Sequence, residues 1–136
     1  MTERERARFD SLLERVIDRL PEGVRRMLEE IPVIVLDLPT AEMLKSLGMD
    51  PGDPEAALEL CGLHTGTANT EQSVEHSGEL PPDIHLFREG IIDLAGGWES
   101  DDADEAISEE IRITLLHEIG HQFGLDEEDL ENLGYE

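Results

Sequence analysis

The residues of this chain whose types and spacing can do chemistry lie near its C-terminal end, in the run His117-Glu118-Ile119-Gly120-His121. On an α-helix, residues four apart stand about 40° apart around the axis and one turn apart along it, so both imidazoles reach one ion from the same face. Two imidazoles at this spacing suit Zn²⁺. Glu118 stands about 100° round from His117, where a carboxylate can address a water molecule at the metal without displacing it. The spacing therefore assigns His117 and His121 as zinc ligands and Glu118 as the acid/base residue. The plain alternative is a pair of ordinary histidines. Against it stands the surrounding helical pattern: Glu110 and Thr114 fall on the histidine face, while Ile111, Leu115, Leu116, Ile119 and Phe123 fall on the flanks and back, where they anchor the helix in a core.

A catalytic zinc site needs a third protein ligand, and Asp126, Glu127, Glu128 and Asp129 follow within ten residues. Gly124 is the natural left-handed residue ending the helix, so the chain can reverse there toward the metal. If Asp126 caps a following short helix, Leu125 and Leu130 form the staple around it and Glu127 is the better ligand. Asp126 remains the next candidate, since a shift of one residue in the turn changes the answer. Cys61 is the only cysteine, so no thiolate-rich zinc site and no internal disulfide can form; it reads as a buried small residue. For the oxyanion, Tyr135, His85 and His64 are candidates by residue type, each with an ordinary packing or surface role as its alternative, and His76 in a polar loop is weighed the same way.

Several elements must position this helix. Phe9, Leu12, Leu13, Val16, Ile17 and Leu20 recur at three- and four-residue steps, the mark of an amphipathic helix, which Pro21 stops. A second short helix is expected over 22–29, sharing Val24, Met27 and Leu28 on one face. The apolar run 33–36 reads as a well-buried strand and the central one. Residues 40–47 can be helical; 48–55 is turn chemistry and 62–73 is polar and irregular. A strand over 83–88 alternates Ile84 and Leu86 with His85 and Phe87, which suggests one packed and one exposed face. After the glycines of IIDLAGGWES, an acidic segment leads into the long helix that runs to about Phe123.

Composition bounds the function. The 136 residues carry 34 acidic against ten basic side chains, a formal net charge of -24, with Lys45 the single lysine. Such a field disfavours nucleic acids and anionic membranes as partners. It can steer a cationic peptide or a metal ion, or it is simply a solvated surface. The charged start and the lack of an apolar run near the roughly 18 residues of a membrane span suggest a soluble, cytoplasmic protein of a single domain.

The run HEIGHQFGLDEEDLENLGYE closely resembles the C-terminal end of small bacterial zincin-like metallopeptidases, the minimal zincins or minigluzincins. GLHTGTANTEQS and IHLFREGI resemble the loop and strand before the active helix in that family, so the similarity spans roughly residues 55–136, with 1–38 compatible by element order. The family pattern, HExxHxxGxx followed by an acidic ligand that is often Asp, places that ligand on Glu127. The resemblance implies an α+β fold: a small twisted mixed sheet, a backing helix and an active-site helix beneath an extended cleft. The cleft's upper wall is an edge strand that pairs with the substrate backbone, supplied by IHLFREG or GLHTG. It further implies zinc-dependent hydrolysis of a peptide or protein substrate. Two other readings are a zinc site that only staples a small domain, in which Glu118 has no use, and an acidic binding protein with incidental histidines.

Overall fold

A computed structural model describes residues 1–65, 83–124 and Glu128. Helix α1 (Glu3–Arg19) opens with a capping box: the Glu5 amide donates to Thr2 Oγ1 at 3.1 Å and the Thr2 amide donates to Glu5 Oε1 at 2.8 Å. Its expected stripe is the buried one, and the helix stops before Pro21. Helix α2 (Glu22–Glu30) leads to strand β1 (Val33–Leu36). Two short helices follow, α3 (Ala41–Ser46), capped by Thr40, and α4 (Pro54–Glu59), capped by Asp53 with proline in the first turn. Among the described residues, strand β2 (Gly62–Thr65), strand β3 (Asp83–Phe87), helix α5 (Arg88–Ala95) and the long helix α6 (Ala103–Phe123) follow in that order.

The three strands form one mixed sheet in the order β1-β3-β2. β1 runs parallel to β3, with Val33 opposite Ile84, and β2 runs antiparallel, with Gly62 opposite Leu86 and Leu63 opposite His85. This is the α+β arrangement expected from the resemblance. Three details differ from the sequence reading. Among the described residues the central strand is β3 and not β1, whose Ile34 is 36% exposed. β3 is buried on both faces, so its alternation marks two different packed environments and no solvent side. Finally, the chain turns helical at Arg88, so IIDLA lies in α5, which ends at Gly96 with φ 104°.

Ile84 and Leu86 point to the face where α1, α5 and α6 pack, and they join Phe9, Leu12, Ile91 and Ile111 in the main core. His85 and Phe87 point the other way and stack at 6.3 Å. Helix α6 touches α1, α5, β2 and β3. Its Ile107, Ile111, Leu115, Leu116 and Ile119 are essentially fully buried. At about 1.5–3 kcal/mol per buried side chain, this packing outweighs anything the helix ends contribute and fixes α6 rigidly.

A charge cluster ties the start of the chain to the sheet. Asp37, just past β1, accepts from Arg6 Nη2 at 2.7 Å and from Arg88 Nη1 at 3.0 Å, and Arg88 Nη2 also donates to Asp10 at 2.9 Å. The hydrogen bonds from Arg6, then those from Arg88, hold the Asp37 carboxyl below the usual carboxylate range against the opposing effect of burial. On α5, a β-carbon at Gly90 would meet the Leu60 carbonyl oxygen at 2.3 Å, so only glycine allows this approach just ahead of β2.

Candidate metal centre and active site

Packing leaves one strip of the C-terminal half of α6 open, and the two histidines occupy it. Glu110 is half-buried and Ile113, His117 and His121 are exposed, while Thr114 and Glu118 beside them are buried. The imidazole rings of His117 and His121 lie 4.1 Å apart between centroids, tilted by 60°. One potential ligand atom from each of His117, Glu118 and His121 lies within 4.8 Å of the others. Two imidazole nitrogens from one helix face fit a divalent cation of the zinc type, and the Glu118 carboxylate lies within reach of the same point.

The far side of Glu118 is closed by β2. A β-carbon built on Gly62 would meet Thr114 Cγ2 at 2.8 Å and Glu118 Cγ at 3.1 Å, so the backbone of β2 lies directly on the helix face that carries the carboxylate. The sequence reading missed this residue. The signal was present as an isolated glycine between Cys61 and Leu63, which in a strand marks a close backbone approach. Beside it, burial pushes the Cys61 thiol up, and the carboxylates of Glu110, Asp93 and Glu118 push it further. A thiol so protonated suits the packing role expected of it.

Helix α6 ends as expected, with Gly124 left-handed at φ 68° and its amide donating to the last turn. The candidate third ligand Glu127 lies outside the described residues, as do Asp126, Asp129, His76 and Tyr135. Glu128 is described and exposed. His64 lies in β2 in register with Ile84. His85 does not belong to the site: it faces away from α6, with its Nδ1 3.1 Å from Asp83 Oδ1, near enough for an ion pair yet not aligned for a hydrogen bond. Alternation explains the misplacement, since its neighbours Ile84 and Leu86 take the face toward α6.

The family of zincin-like metallopeptidases matches residues 28–135, which includes the whole of this site. The chain belongs to the zincin-like metallopeptidases. No curated protein matches it. The family match is wider than the resemblance of the C-terminal segments, reaching back through β1 into α2. In this zincin-like chain a His–Glu–His group able to hold a metal ion lies on the buried central helix, and no helix among the described residues is long and apolar enough to cross a membrane.

Proposed function

We propose that this zincin-like chain is one zincin-like domain acting in the cytoplasm as a zinc-dependent peptidase, with His117, His121 and Glu127 as metal ligands and Glu118 as general base and acid. The observation that carries the reading is the convergence of His117, Glu118 and His121 within 4.8 Å on the open strip of α6, with Glu118 backed by β2. Bound there, zinc supplies Lewis acidity toward a water molecule and the scissile carbonyl. His117 and His121 hold their donor atoms in place because the helix beneath them is anchored on all other sides. Glu118 takes a proton from the attacking water and delivers it to the leaving amine, and its burial keeps competing solvent from that carboxylate.

A peptide substrate has an edge to bind. β3 is flanked on both sides, so it cannot serve, whereas β2 has no second strand among the described residues and lies against Glu118. An extended substrate pairing with β2 would bring its backbone past the histidines, which supports the GLHTG segment as the upper wall of the cleft. A single cysteine, with no partner for an internal disulfide, is compatible with the cytoplasmic placement.

The deciding experiment compares wild type, His117→Ala and Glu118→Gln for zinc content after purification without added metal, and for cleavage of a mixed peptide library. The reading expects about one zinc in wild type, loss of it in His117→Ala, and retained zinc without cleavage in Glu118→Gln. Zinc in wild type with no cleavage of any peptide favours a structural metal site. All three proteins metal-free and equally folded would return the histidines to ordinary surface residues.

A further inference from the structure

Away from the metal centre, α1 and the first half of α6 enclose a cavity of about 330 Å³ whose floor is Leu12, Val16 and Leu20. Arg15 and Arg19 form its rim on α1. Seven of the ten basic residues fall in the first 26 positions, alongside only six of the 34 acids, so the acidic excess lies in the rest of the chain. The other cations at this seam are committed: Arg8 donates to Asp104 at 2.7 Å and lies over the Trp98 ring, and Arg112 is paired with Glu109. Arg15 and Arg19 make no ion pair with any described residue. Across the groove, Glu105 is likewise without an ion-pair partner among the described residues.

We propose that this groove docks an acidic, amphipathic segment of a partner protein, with an apolar side chain on the Leu12–Val16–Leu20 floor and carboxylates against Arg15 and Arg19. The volume is at the lower end of ligand pockets and suits one or two anchoring side chains. Guanidinium groups one helical turn apart match carboxylates that are themselves one turn apart, and each can accept two hydrogen bonds. The net charge of the chain argues for a basic partner at a distance, but at physiological salt that field is screened within about 8 Å. Within that range Arg15 and Arg19 decide, and the acidic remainder of the surface then disfavours the same partner everywhere else. The inference does not depend on zinc or on hydrolysis.

The test uses the full chain with Glu118→Gln, so that no peptide is consumed. Fluorescence anisotropy at about 0.15 M salt follows a labelled helical peptide that carries two leucines one turn apart and glutamates along one flank. A lysine-flanked copy and a copy with both leucines replaced by serine serve as comparisons. The glutamate peptide is expected to bind at least tenfold tighter than either comparison, and Arg15→Glu/Arg19→Glu is expected to remove that preference while leaving zinc content and thermal unfolding unchanged. Preference for the lysine peptide, an unchanged affinity in the double variant, or no binding of any peptide overturns the proposal. So does arginine-dependent binding to vesicles of anionic lipid without binding to the glutamate peptide.

Discussion

Gly62 lies directly against the Glu118 side chain: a methyl group on its α-carbon would sit 3.1 Å from Glu118 Cγ and 2.8 Å from Thr114 Cγ2, so both side chains would have to give way to it. The strand that borders the open strip and the carboxylate on that strip are therefore set by one steric approach, which makes the position of Glu118 sensitive to changes in β2.

Gly62→Ala is expected to reduce peptide cleavage by about tenfold or more while destabilising the fold by only about 1–3 kcal/mol and leaving zinc bound. The nearest obstruction is Thr114 Cγ2, at 2.8 Å from the added carbon. Thr114→Ser removes that methyl group, so the double variant should recover part of the lost activity. Steady-state cleavage and urea unfolding of the two single variants and the double check this. A fully active Gly62→Ala would show that the approach does not position Glu118.

The third ligand is open to the same kind of comparison. Glu127→Ala is expected to weaken zinc binding by at least about 100-fold, beyond the 10- to 100-fold usual for supporting residues, and Asp126→Ala by only a few-fold. Competition with a chromophoric chelator measures both. The reverse order would move the ligand to Asp126.

Acid stability should report the Asp37 cluster. Its carboxyl is held below the usual range by Arg6 and Arg88, so its contribution is complete above the ordinary carboxylate pKa near 4 and is lost as the pH falls through the lower folded value. Asp37→Asn should cost about 1–3 kcal/mol at pH 7, since it replaces the carboxylate shared by two guanidinium groups with a neutral amide that has a single acceptor oxygen. It should also lose less stability than wild type between about pH 5 and 3. Urea denaturation at several pH values distinguishes this from a pH-independent loss.

Cys61 should behave as packing and not as a nucleophile. With its thiol pushed up by burial and by the neighbouring carboxylates, alkylation by iodoacetamide at pH 8 should run about tenfold slower in the folded chain than in urea. Cys61→Ala should keep its zinc and its cleavage. Rapid alkylation that stops cleavage would place the thiol in the chemistry.

How much could be read from the sequence depended on whether the signal was local. Periodicity disclosed α1 and α6, and Gly124 disclosed where α6 ends, because each is a property of one continuous stretch. His117, Glu118 and His121 were legible for the same reason, since a helix alone fixes their mutual geometry. Strand order was not legible: the apolar run of β1 suggested burial on both faces, but that place is taken by β3, whose pairing with β1 and β2 is a long-range fact. Helix α5 was hidden by Gly90 and by Ile91 and Ile92, poor helix formers whose burial against the core overrides their propensity. Asp53-Pro54-Glu55 was read only as a turn, although an acidic cap followed by proline also opens a helix. Gly62 was missed because its meaning lies in what α6 brings against it.

The order of elements also constrains how the protein can come into being. Among the described residues both outer strands precede the central one, and the apolar stripe of α1 is covered by a helix that begins at Ala103. During synthesis β1 and β2 therefore emerge without a partner, and Phe9, Leu12 and Val16 stay wet until α6 has been made. Closing such long loops is slow and leaves sticky surface exposed meanwhile. The keystone is the helix that bears the histidines, so a chain cut short before residue 103 has no folded body to fall back on: it would be a target for chaperones and proteases and not a stable, inactive form of the protein.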